Sequence, residues 1–114
     1  MGFGKNKYHA KRVTVNGITF DSKREANRWV ELLWLEKAGE ISELRRQVKF
    51  ILIPAQRVNG KLVERECSYI ADFVYRDKET NLTVVEDAKG VRTEVFKIKK
   101  KLMLQKYGIQ ICEV

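Results

Sequence analysis

The stretch Tyr69-Ile70-Ala71-Asp72-Phe73-Val74-Tyr75, followed after a polar turn by Val84-Val85-Glu86-Asp87-Ala88-Lys89-Gly90, decides how this chain is read. Both segments are rich in β-branched and aromatic residues and read as strands. Each nevertheless carries acidic residues that an apolar strand would normally exclude. Side chains alternate along a strand, so Ile70, Asp72 and Val74 are expected on one face and Tyr69, Ala71 and Phe73 on the other. Asp87 and Lys89 share a face by the same rule. If the two strands pair with these faces aligned, Asp72, Asp87 and Lys89 converge. Two carboxylates offer hard oxygen ligands for a divalent cation, and a lysine beside them can steady a phosphate or orient a water.

Asp72 is the stronger of the two acids. Its neighbours are apolar on both sides, so its strand reads as internal, and an aspartate there is costly unless something compensates it. A buried bridge to Lys89 alone would add little stability over an apolar pair, which weakens the purely structural alternative. Asp87-Ala88-Lys89 taken by itself is a weak signal, because the same spacing recurs at Asp21-Ser22-Lys23, a helix start where an acid is expected anyway. Glu86 points away from Asp87 and is expected outside the site, although a register slip would exchange the two faces.

Upstream, Val13-Thr14-Val15-Asn16-Gly17-Ile18-Thr19-Phe20 places Asn-Gly between β-formers, the signal of a two-residue hairpin. A helix follows, opened by Asp21 and Ser22, with Ser22 and Glu25 matching a capping box. Ala26, Trp29, Val30 and Leu33, extended by Leu32, form its inward stripe, and Gly39 stops it. Glu25 falls between Trp29 and Leu32 around this helix, on the stripe that faces the core. Two roles stay open for it: a cap that folds back to the Ser22 amide, or a carboxylate that reaches the sheet edge and joins Asp72 and Asp87.

Ile41 to Ile53 reads as an extended element broken at Pro54, and Asn59-Gly60 turns the chain back toward Leu62 to Cys67. After the two acidic strands comes a second helix, roughly Glu94 to Lys106, with Val95, Ile98 and Leu102 expected inward. Gly108 stops it, and Ile109 to Val114 gives a last strand. The order hairpin, helix, strands, helix, strand predicts an α+β (mixed α/β) domain, with helices packed on one sheet.

A chain of 114 residues allows one domain, expected over residues 13–114 behind a basic arm over 1–12. The net charge of +8 points to a polyanionic partner, most simply nucleic acid. The candidate contacts are Lys5, Lys7, Lys11 and Arg12 in the arm, then Arg45, Arg46 and Lys49, then Lys97, Lys100 and Lys101 on the second helix. Cys67 and Cys112 lie far apart without metal-ligand spacing and read as reduced thiols of a cytoplasmic protein. No apolar run approaches a membrane span, and the N-terminus lacks the apolar centre of a signal peptide. His9, the single histidine, sits in the polar arm and is given no role.

The helix glutamate Glu25, the strand aspartate Asp72 and then Asp87-Ala88-Lys89 resemble the PD-(D/E)XK nuclease superfamily. The wording of the chain is similar to small phage-encoded members of it. The matching blocks are Phe20-Asp21-Ser22-Lys23-Arg24-Glu25-Ala26, Glu36-Lys37-Ala38-Gly39-Glu40-Ile41, Tyr69 to Phe73, Val85 to Gly90, and Phe96-Lys97-Ile98-Lys99-Lys100-Lys101. The resemblance implies a restriction-endonuclease-like αβββαβ core with a mixed central sheet, and Mg²⁺-dependent DNA cleavage, with Mn²⁺ as a substitute. It implies Asp72, Asp87 and the Ala88 carbonyl as metal ligands, and Lys89 as the residue that polarises the attacking water or stabilises the phosphate. Glu25 matches the helix glutamate of the transposon end-cleaving and archaeal junction-resolving branches. Ala71 stands where the proline that names the motif would precede Asp72.

The expectation is therefore an endodeoxyribonuclease of a phage or prophage acting in the host cytoplasm. With no dedicated major-groove reader, sequence preference should be weak and selectivity for branched or junction DNA is the natural alternative. A homodimer would let two sites cut two strands. Two rivals stay open: a non-catalytic basic binding module whose Asp72, Asp87 and Lys89 form a structural ion network, and an RNA-binding protein of the ribosomal type, which leaves the strand aspartates unexplained.

Overall fold

The structure, a computed structural model, describes residues 12–88 and 92–114. In chain order it contains β1 (Val13–Val15), β2 (Ile18–Phe20), α1 (Lys23–Lys37), β3 (Ile41–Ile53), β4 (Gln56–Val58), β5 (Lys61–Glu64), β6 (Cys67–Asp77), β7 (Thr83–Asp87), α2 (Glu94–Tyr107) and β8 (Cys112–Glu113). A four-stranded sheet in the order β3-β6-β7-β8 forms the centre. β3, β6 and β7 pair antiparallel, and β8 returns through α2 to lie parallel to β7. The fold is α+β with a mixed sheet, and beyond the two small hairpins its elements run in the order αβββαβ.

Local chemistry accounts for the boundaries. Both Asn-Gly pairs turn hairpins, with φ of 50° and 80° at Asn16-Gly17 and 52° and 81° at Asn59-Gly60, the double positive φ of the turn that matches strand twist. Ser22 caps α1 by accepting the Glu25 amide, and Thr93 caps α2 by accepting the Phe96 amide. Gly108 ends α2 at φ 69°, a left-handed step that glycine takes without the penalty of a Cβ.

Two apolar cores flank the sheet. Phe20, Ala26, Leu32, Ile41, Phe73, Tyr75 and Ala88 form the one under α1, where Trp29 stacks on Phe73 at 5.9 Å. Leu52, Tyr69, Ala71, Val74, Val85, Phe96, Met103 and Ile111 form the one under α2. The free end of α2 is pinned to β3, since Lys106 Nζ and Tyr107 OH both donate to the Ile51 carbonyl, at 2.9 and 2.7 Å.

Two sequence expectations need correction. Val95 and Ile98 face outward, at 61% and 57% exposure, and α2 docks instead through Phe96, Met103 and the half-buried Leu102. The true inner stripe also contains Lys99 and Lys100, both half-buried, so its apolar character is masked in the sequence. Simple alternation also fails along β6. Ala71 and Phe73, expected on one face, pack in opposite cores, whereas Ala71 and Val74 share one. The neighbouring strand switches at the same level: Leu44 packs in the α1 core, and Val48, Phe50 and Leu52 in the α2 core. Between them Gln47 has φ 54°, and the Gln47/Asp72 step drops out of a ladder that otherwise runs through Arg46↔Phe73 and Val48↔Ala71. A left-handed residue rotates the strand about its axis, and the alternation resets there.

Candidate active site

Asp72 sits at that break. The β6–β7 ladder ends at Phe73↔Glu86, so Asp72 lies one step beyond it, opposite Asp87. Its Oδ2 accepts the Ala88 amide at 2.8 Å, which closes the sheet past the last paired residues and satisfies a buried N–H. Its Oδ1 accepts from Gln47 Nε2 at 3.3 Å, and the same amide nitrogen donates to Glu25 Oε2 at 3.3 Å. Glu25 therefore reaches from the first turn of α1 to β3 while its own amide is held by Ser22 Oγ at 3.1 Å. Of the two roles left open for the Glu25 carboxylate, the bonds described are on the sheet side: it meets Gln47 and Arg46, while Ser22 caps the helix through its own hydroxyl.

Asp87 is 1% exposed and accepts from the Tyr69 phenol at 2.8 Å. Burial, then the hydrogen bond to Asp87, then the charges of Asp87 and Asp72 push the Tyr69 hydroxyl far above the ordinary tyrosine range. Tyr69 thus feels both aspartates, and it stays a neutral donor. Tyr69 and Asp87 line a cleft of about 390 Å³ together with Ser68, Ile70, Thr93 and Lys99. Glu113, opposite Asp87 across the β7–β8 pairing, adds a further carboxylate on this side. Lys100 holds Glu113 at 2.6 Å and Arg92 also pairs with it. The Lys100 hydrogen bond, helped by the Arg92 charge, holds the Glu113 carboxyl below the usual carboxylate range.

Glu86 points to the α1 side, as alternation from Asp87 requires. Arg28 donates to it from Nε at 2.7 Å and from Nη2 at 2.6 Å, and the Tyr75 phenol donates at 2.5 Å. This is a closed, fully hydrogen-bonded ion pair. The Glu86 hydrogen bond raises the Arg28 guanidinium further, and burial raises the Tyr75 hydroxyl. Glu86 is a structural anion, separate from the candidate site.

The structure thus brings Glu25 and Asp72 together through Gln47, and Asp72 and Asp87 together around Tyr69. Lys89 lies outside the described residues, as do Lys5, Lys7 and Lys11. Of the other basic candidates, Arg12, Arg45, Lys49, Lys97 and Lys101 are exposed, with Lys49 paired to Glu66 and Lys97 to Glu94. Lys100 is committed to Glu113. Arg46 lies over the Phe20 ring at 4.7 Å, with its Nη2 3.8 Å from Glu25, so it belongs to the rim of the carboxylate cluster. Sequence reasoning missed Gln47, Tyr69 and Glu113. For Tyr69 a signal existed, since a tyrosine inside an internal strand needs a hydroxyl partner. For Gln47 there was none, because nothing in Arg45-Arg46-Gln47-Val48 announces a positive φ.

Among the described residues no three His, Cys, Asp or Glu side chains group closely enough to hold a metal. The donor set still fits Mg²⁺, which is bound through one or two carboxylates with waters and substrate phosphate completing the shell. Asp72 and Asp87 are carboxylates on adjoining strands, one step beyond the last ladder pair Phe73↔Glu86.

No curated protein and no solved structure matches the chain. One family does, over residues 5–111, and it is described as "Protein of unknown function (DUF1064)". With nearly its whole length covered by that match, the chain belongs to the DUF1064 family.

Proposed function

We propose that this protein is a metal-dependent endodeoxyribonuclease that hydrolyses DNA phosphodiester bonds. The observation that carries the reading is the pair of buried aspartates on two internal strands, Asp72 and Asp87, beside a cleft in a chain of net charge +8. The αβββαβ order of elements and the resemblance in the sequence motifs support it. Asp72, Asp87 and the Ala88 carbonyl would hold the ion, with Glu25 at the edge of its shell. When bound, Mg²⁺ supplies Lewis acidity at the phosphate and lowers the pKa of water. Tyr69 fixes the Asp87 carboxylate by its hydrogen bond, and burial keeps that donor protonated. Lys89, two residues after Asp87, is assigned to the charge that develops on the phosphate. The exposed basic residues supply affinity for the backbone without reading bases.

A second reading also has an observation behind it. The Asp72 carboxylate satisfies the Ala88 amide and Asp87 satisfies Tyr69, so both acids serve the fold, as in a non-catalytic binding module. Cleavage of labelled duplex, single-stranded and four-way-junction DNA in Mg²⁺ or Mn²⁺ separates the two. The nuclease reading expects cutting by wild type that is lost in Asp87→Ala and Lys89→Ala. DNA binding without cutting, unchanged in both variants, favours the binding module.

A further inference from the structure

Gln47 combines two features that a strand residue rarely shows. Its backbone takes φ 54° in mid-strand, a conformation that a non-glycine residue adopts only under strain. Its side-chain amide lies between two buried carboxylates of separate elements, 3.3 Å from Glu25 Oε2 on α1 and 3.3 Å from Asp72 Oδ1 on β6. The two features are linked. The left-handed step is where β3 switches faces, and it occurs at the level of Asp72, the level at which the ladder pairing lapses. The strained backbone delivers the amide to the carboxylates.

We propose that Gln47 is the positioning residue of the site: its amide ties the Glu25 carboxylate to the Asp72 carboxylate, so that both meet a divalent cation from fixed places. The inference rests on the nuclease reading and deepens it. Two carboxylates drawn together repel each other, and an NH₂ group has one N–H for each of them, an attraction that carries no net charge to compete with a cation. The bonds are long, and Gln47 is exposed while the two carboxylates it joins are buried. Removing groups that orient metal-binding side chains typically weakens metal affinity about 10–100-fold.

The test is Mn²⁺ binding to the full chain by titration calorimetry, with thermal unfolding of each variant in EDTA as the control for folding. Gln47→Asn keeps an amide and tolerates a positive φ, but it is one methylene too short to span the carboxylates. Gln47→Gly relieves the backbone and removes the amide. Both should unfold in EDTA at or near the wild-type temperature and bind Mn²⁺ at least tenfold more weakly. Wild-type Mn²⁺ affinity in both variants, with binding lost in Asp87→Asn, overturns the role of Gln47 and leaves the nuclease reading standing. No Mn²⁺ binding by the wild type overturns both.

Discussion

Glu86 is 2% exposed and its charge is balanced by a two-pronged contact from Arg28 and a phenol from Tyr75. Removing one partner of such a pair leaves a buried charge uncompensated. Arg28→Ala should therefore lower stability by about 3 kcal/mol in urea unfolding, the low end for buried pairs because Arg28 itself is partly exposed. Mn²⁺ binding in that variant should be unchanged, since Glu86 and Asp87 point to opposite sides of the sheet. Glu113 behaves differently. Its carboxyl is held below the usual range, so it stays ionised in the folded chain at pH values where an unfolded chain has already protonated it. A depressed carboxyl contributes stability that is present above the unfolded-state pKa and lost as the pH falls through the folded one. Glu113→Gln should accordingly be less stable than wild type at neutral pH, and the gap should close on acidification below the ordinary carboxylate range. A gap that widens with acid would contradict the assignment.

At the scale of elements, the termini of α2 offer a direct check. Thr93→Ala removes the side chain that accepts the Phe96 amide and should cost about 1 kcal/mol. Gly108→Ala forces a Cβ into φ 69° and should cost at least about as much, both read from the midpoint of urea unfolding. The Gly108 stop was legible in the sequence, as were both Asn-Gly turns, because each depends on a residue type with one strong local preference. The inner face of α2 was not. Val95, Ile98 and Leu102 and the competing set Phe96, Lys99 and Met103 both have helical spacing, and only docking against Tyr69 and Ile111 decides between them. The switch of faces in β3 and β6 was hidden for a similar reason. Alternation is a local rule, whereas the left-handed step at Gln47 coincides with contacts to carboxylates of α1 and β6, which are distant in sequence. Asp72, Asp87 and Glu25 stood out because an acid on an apolar stripe is conspicuous; Gln47, which bonds two of them, and Glu113, opposite Asp87 in register, sit where polar residues raise no question.

For the whole molecule, the chemistry divides across the sheet. The α1 side of β7 carries a closed ion pair at Glu86, and the α2 side opens to a cleft at Asp87. In the proposed function, exposed basic residues on several elements and the lysines of residues 1–11 contact DNA. Binding should therefore weaken steeply with salt, and removing residues 1–11, with Lys5, Lys7 and Lys11, should reduce the log–log salt slope by up to about 3 units. An unchanged slope in an anisotropy titration would take the arm out of the interface. No described helix is long and apolar enough to cross a membrane. The central claim, metal-assisted hydrolysis at Asp72 and Asp87, is tested most directly by nicking of supercoiled plasmid with and without Mn²⁺, comparing wild type with folded Asp87→Asn. Nicking that requires the metal and falls at least about a hundredfold in the variant is the predicted result. Nicking that persists in EDTA, or equally in Asp87→Asn, would contradict the account, as would none at all by the wild type.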